Sequence, residues 1–137
     1  ILQPTSPFRT NEDIDSAVDL LIDSNCDLVI GVCEESMSLS KCFYRMQSGE
    51  LWPYAESTSN DTYIRRQNLP KTFAENGAIY LQQVRTLYAQ PENIPAFGSM
   101  RSENVRGYVM PKERSIDIDT HFDLHVARLL AASPYNS

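Results

Sequence analysis

An α/β domain is the fold class this sequence predicts. Three short runs have strand length: Asp27 to Cys33, which is rich in Val and Ile, Asn76 to Leu81, and Val105 to Met110. Two other segments repeat apolar residues at helical spacing behind a capping threonine. From Ile1 to Cys33 the order strand, loop, helix, strand reads as a βαβ unit with a parallel pairing.

Each element has its own local reason. Ile1-Leu2-Gln3 reads as the end of a strand, and Pro4-Thr5-Ser6-Pro7 as a rigid, non-helical loop. Thr10 with Asp13 three residues on resembles a capping box. Ile14, Ala17, Val18, Leu21 and Ile22 then continue at helical spacing to an end near Ser24-Asn25. Lys41 to Met46 and Leu51 to Tyr54, joined across Ser48-Gly49, predict a hairpin. Ser57 to Thr62 is polar and reads as an excursion. Val84 to Ala89 predicts a short helix, and the Pro-, Gly- and Ser-bearing stretch from Pro91 to Asn104 a loop. The strand from Val105 ends at Pro111. Thr120, with Asp123 as its N3 acid, opens a last helix whose apolar positions include Phe122, Val126, Leu129 and Leu130.

At 137 residues the expectation is one domain with room for a core. The formal net charge of -6 disfavours nonspecific nucleic-acid binding, which depends on cationic contacts to phosphates. It leaves room for a small anionic substrate, because a few pocket arginines outweigh distant carboxylates. Cys26, Cys33 and Cys42 are odd in number and include no CxxC pair, so reduced thiols in a cytoplasmic protein are expected. No apolar run approaches the length of a membrane span. Walker A, G-x-S-x-G, HExxH and G-x-G-x-x-G motifs are absent from the sequence, and no nucleophile for covalent catalysis stands out.

The most suggestive chemistry lies in Ser115-Ile116-Asp117-Ile118-Asp119-Thr120. If this segment is extended, both isoleucines share one face and both aspartates, Asp117 and Asp119, the other. Magnesium takes one or two carboxylates and completes its shell with water and phosphate oxygens, so the pair suggests a metal-phosphate site at the C-terminal end of a strand. A helix cap with a solvated neighbour is the plain alternative. Arg65-Arg66-Gln67 offers many donors to a carboxylate or phosphate, or else is a solvated basic loop. Gln3 and Ser6 lie where open α/β sheets place ligands and can read sugar hydroxyls; their alternative is turn chemistry. Asn76-Gly77, just before a strand, either brings backbone close to a ligand or makes an ordinary turn. Lys112 or Arg114 can neutralise phosphate, or simply pair with Glu113, Asp117 or Asp119. His121 and His125, one helical turn apart, are more simply surface residues than metal ligands. Trp52 and Tyr54 belong either to a core or to a subunit contact.

Four ordered segments carry a resemblance that spans nearly the whole chain. They are Gln3-Pro4-Thr5-Ser6-Pro7-Phe8-Arg9, Arg65-Arg66-Gln67-Asn68-Leu69-Pro70, Asn76-Gly77-Ala78-Ile79-Tyr80, and Pro111-Lys112-Glu113-Arg114 running on to Asp119. Together they closely resemble the acylneuraminate cytidylyltransferases, the CMP-sialic acid synthetases, and relatives acting on legionaminic and pseudaminic acids. The resemblance implies a nucleotide-diphospho-sugar-transferase type, Rossmann-like mixed sheet, a homodimer, and transfer of CMP from CTP to a nine-carbon 2-keto sugar acid with release of pyrophosphate. It implies Asp117 and Asp119 as magnesium ligands, Gln3 and either Tyr80 or its neighbouring backbone as sugar contacts, and Arg65 as a partner for the sugar carboxylate or phosphate. The region from Lys41 to Asp61 matches the dimerisation arm. The family's N-terminal Gly/Arg/Lys-rich CTP-binding loop has no counterpart here, so the expectation is a C-terminal portion, inactive by itself, of an active parent. The competing expectations are a cytidylyltransferase for another keto-sugar acid and a non-catalytic dimerisation or sugar-binding module.

Overall fold

Thr10 has extended backbone, and its hydroxyl accepts from the amide of Asp13, whose carboxylate accepts from the Thr10 amide in return. This reciprocal cap starts helix α1, Asn11–Asp23, and satisfies amides that the first helical turn leaves without partners. A computed structural model describes residues 1–37, 39–54, 71–88 and 104–133, less the side chains of Ser40, Leu87 and Tyr88. Ser24 caps the C-terminus of α1, and Asn25 follows at φ 47°, the left-handed position that commonly ends a helix. Strand β1, Leu28–Glu35, comes next.

Two compact units divide the described chain: residues 1–33 with 75–137, and residues 34–74. In the first unit the sheet is mixed, with strand β4, Thr72–Gln82, beside β1 and strand β5, Val105–Met110, on the other side of β1. β1 and β5 run parallel, in register from Leu28 opposite Val105 to Cys33 opposite Met110. The parallel partner of β1 is therefore β5, and not the 1–3 segment that the βαβ reading pairs with it. Ile1 instead exchanges two backbone hydrogen bonds with Tyr80 of β4.

β1 is buried along most of its length, as a central strand covered on both faces must be. The core gathers Ala17, Cys26, Val29, Ala78, Ile79 and Met110, with Ile14, Leu20, Leu21, Leu81 and Tyr108 packed around it. Val18 and Ile22 of α1 face solvent; Leu20 packs inward instead, so the apolar stripe is rotated from the one the spacing predicts. After β4 comes the short helix α2, Val84–Tyr88. Helix α3, His121–Ala131, opens on a second reciprocal cap between Thr120 and Asp123. It buries Ala127, while Phe122 and Leu129 are exposed. Among the described residues no helix is long and apolar enough to cross a membrane. None of Cys26, Cys33 and Cys42 is disulfide-bonded.

In the second unit strands β2, Phe43–Arg45, and β3, Leu51–Pro53, pair antiparallel. Gly49, at φ 96°, donates to the Met46 carbonyl and lets the chain reverse between them. Phe43, Tyr44, Leu51, Trp52 and Tyr54 are each at least 50% exposed. Trp52 and Tyr54 are thus not core residues of this unit. Lys71 and Glu34 make an exposed ion pair at 2.8 Å.

Candidate functional site

The site is built on an irregularity in β4. Asn76 and Gly77 lie inside this strand and do not precede it, because the strand starts at Thr72. The Asn76 side-chain oxygen accepts from the amide of Ala78 at 3.1 Å, and Gly77 takes φ +70°. A left-handed residue with a local side-chain bond bends a strand and re-aims its neighbours. The Tyr80 hydroxyl hydrogen-bonds the Glu75 carboxylate, five residues back along the same strand.

Asn76 is held from several sides. Its amide nitrogen donates to Ser115 Oγ at 3.0 Å and lies 3.2 Å from Met110 Sδ. Its backbone carbonyl accepts from the hydroxyl of buried Ser6 at 3.3 Å. Gly31 of β1 makes room for it, since a Cβ there would lie 2.7 Å from Asn76 Oδ1. Ser6 and Asn76 are structural members of the site, buried and satisfied.

The loop ahead of α1 is fastened by Arg9. Its Nη1 donates to the carbonyls of Gln3 at 2.6 Å, Ser6 at 2.9 Å and Ala78 at 3.3 Å. This brings Gln3 over the bend in β4. Ile118 donates its amide to the Thr5 carbonyl at 2.9 Å, which brings in the acidic segment. A Cβ built on Gly77 would stand 2.7 Å from Gln3 Oε1 and 2.8 Å from Asp117 Oδ2. Gln3, Gly77 and Asp117, far apart in sequence, meet at one point.

Asp117 Oδ1 is buried and has no hydrogen-bond partner among the described residues. Desolvating a carboxylate oxygen without a donor is costly. The Gln3 amide oxygen and the Asp117 carboxylate are hard oxygen donors, the kind magnesium selects. Burial raises the Tyr80 pKa, and the negative charges of Glu75 and Asp117 raise it further, which keeps its phenol a donor.

The acidic doublet departs from the pattern its alternation predicts. Residues 115–119 carry no regular secondary structure and follow a 3-10 turn, Lys112–Arg114, so the pair does not sit at a strand end. Pro111 stops β5, and the turn redirects the chain. Ile116, Asp117 and Ile118 are all half-buried, whereas Asp119 is exposed; the two carboxylates do not share one environment. Arg65, Arg66 and Gln67 lie outside the described residues, as does the excursion from Ser57 to Thr62. His121 and His125 are exposed. No cluster of three or more His, Cys, Asp or Glu side chains forms among the described residues.

Arg114 answers to a partner that local sequence does not suggest. It forms a two-pronged pair with Asp13, Nε to Oδ2 at 3.0 Å and Nη2 to Oδ1 at 2.9 Å, across 101 residues. The Tyr108 hydroxyl donates to the same carboxylate at 3.1 Å. Burial alone would raise the Asp13 pKa, but the donors Arg114, Thr10 and Tyr108 bring it below the ordinary aspartate value. Arg9, Asp13, Tyr108 and Glu75 are the residues that sequence reading leaves out of the site. No protein-family model matches the chain.

Proposed function

We propose that this chain carries the sugar- and metal-binding part of a magnesium-dependent cytidylyltransferase. The reaction class is transfer of CMP from CTP to a 2-keto nonulosonic, sialic-type sugar acid, with pyrophosphate leaving. A single observation carries the reading: Gln3, Gly77 and Asp117 converge, and one buried oxygen of Asp117 lacks a partner among the described residues. Three separate stretches of the resemblance meet there, as binding of one substrate and its metal requires.

In this reading Gln3 and the Tyr80 phenol orient the sugar acid, while Asn76 and Gly77 hold the backbone close beneath it. Asp117, with Asp119 toward solvent, supplies carboxylate oxygens to Mg2+. Arg65, Arg66 and Gln67 receive the sugar carboxylate or the phosphates. The anomeric hydroxyl attacks the α-phosphorus of CTP in line, and the bond to the pyrophosphate oxygen breaks. Phosphoryl transfer of this type depends on positioning and charge stabilisation, so no protein nucleophile is needed. When bound, magnesium supplies neutralisation of the phosphate charge.

The same proposal includes a nucleotide-diphospho-sugar-transferase-like, Rossmann-like sheet and a cytoplasmic homodimer with residues 41–61 as its arm. The mixed sheet and the aromatic, solvent-facing β2–β3 ribbon support these points. The decisive experiment measures pyrophosphate released by the full-length protein with CTP, Mg2+ and a panel of 2-keto sugar acids. Release with a nonulosonic acid is expected; none with any acid in the panel rejects the reading.

A further inference from the structure

The two helix caps of this chain provide an internal comparison. At α3, Thr120 and Asp123 exchange their hydrogen bonds at the surface, and no cation joins them in the described contacts. At α1 the same residue pair does the same work, yet Asp13 is only 1% exposed and takes three further donor contacts from Arg114 and Tyr108. Capping alone needs none of these. The additional contacts all lead to one place, the chain that runs from β5 into the acidic segment.

Three tethers fix that segment. Arg114 ties its start to α1 through Asp13, Ser115 ties it to Asn76 of β4, and Ile118 ties it to Thr5. Between the second and third tether stands Asp117, held with one oxygen buried and unpartnered among the described residues. An unsatisfied carboxylate oxygen persists only where the surroundings fix it more firmly than its own preference to turn toward water. Ser115 and Ile118 contribute single neutral hydrogen bonds. The Arg114 fork is charge-assisted, planar and anchored on a buried acid, which makes it the stiffest of the three.

We propose that Arg114 is a positioning residue, with Asp13 as its fixed counterpart, that presents Asp117 to a divalent cation. This rests on the reading of Asp117 as a cation ligand. It also removes Arg114 from the candidates for contact with phosphate, because its guanidinium is committed to Asp13. Outer partners that orient a metal ligand typically change metal affinity about 10–100-fold when altered.

The test uses Mn2+ as a probe for the hard-oxygen site, with binding to the chain followed by electron paramagnetic resonance. Arg114→Lys keeps the charge and loses the fork; Mn2+ affinity should fall about 10-fold or more. Amide exchange at Ile118, measured without metal, should quicken. In the full-length enzyme the variant should need more Mg2+ but keep its CTP KM once Mg2+ saturates. Asp13→Asn retains an oxygen for the Thr10 cap, loses the ion pair, and should reproduce all three effects if Arg114→Lys does not fold. Asp117→Asn separates the outcomes. If it abolishes Mn2+ binding while Arg114→Lys binds Mn2+ normally, the positioning role is wrong and the site stands. A raised CTP KM at saturating Mg2+ with unchanged Mn2+ affinity would place Arg114 on the phosphates instead. If the wild-type chain binds no Mn2+, or Asp117→Asn binds it equally well, the reading of the site falls and the positioning role with it.

Discussion

Gly77→Ala tests the convergence at β4 more directly than any other single change. The added methyl group meets Gln3 Oε1 at 2.7 Å, Asp117 Oδ2 at 2.8 Å and Asp117 Cγ at 3.2 Å, and the backbone at φ +70° disfavours any side chain. A left-handed alanine costs about 1–2 kcal/mol. Forcing atoms aside in a packed site costs roughly 1–3 kcal/mol more. With an m-value of about 2 kcal/mol/M, the urea midpoint should fall by about 1–2.5 M. Because the clash involves the ends of side chains, Gln3→Ala in the same chain should recover part of the steric cost and none of the backbone cost. Urea unfolding of the two single variants and the double variant, with Mn2+ titration alongside, provides the assay. Wild-type stability and Mn2+ affinity in Gly77→Ala would show that Gln3 and Asp117 do not meet over this glycine.

Three other perturbations probe separate links. Asp117→Asn should eliminate metal-dependent turnover, yet leave the metal-free protein as stable as wild type or more so by about 1 kcal/mol, since the charge on a half-buried carboxylate with one unpartnered oxygen is removed; chemical denaturation in EDTA reads this, and a clear destabilisation would contradict it. Asp13 has a native pKa below its unfolded one, so its contribution to stability is present above the unfolded value and disappears as pH falls through the native one. Asp13→Asn should therefore flatten the acid limb of the stability–pH curve while leaving its alkaline side parallel to wild type, and an unchanged acid limb would refute the linkage. If the protein forms the proposed homodimer, Trp52→Glu on the exposed β2–β3 ribbon should shift the sedimenting species from dimer to monomer with the helical content intact; an unaltered dimer would assign the subunit contact elsewhere, and a monomeric wild type would reject the dimer.

Both long helices were legible because their signals are local. A threonine with an acid three residues on closes a reciprocal cap at Thr10 and at Thr120, and Pro111 ends β5 where its missing amide requires. Asn76-Gly77 was harder: the pair announces a positive φ, and a turn before a strand and a bend within one satisfy that signal equally. Alternation in 116–119 misled for a related reason. Period two marks opposite faces only while the chain stays extended, and here the 3-10 turn and the hydrogen bond from Ile118 to Thr5 set the path. Gln3, Gly77 and Asp117 stood out individually, but their meeting is a property of the tertiary fold. So is the choice of Asp13 by Arg114, for which Glu113, Asp117 and Asp119 are all closer along the chain.

The absence of a side chain at Gly31 has a practical bearing on any attempt to retune this protein. The middle strand and the Asn76 amide are interlocked so tightly that neither can be exchanged without disturbing the interior. Variation aimed at a different ligand should begin at the rim, with Gln3 and Tyr80, which are only half-buried. Positions 31 and 76 belong to the chassis, and libraries that randomise them will mostly return proteins that no longer fold.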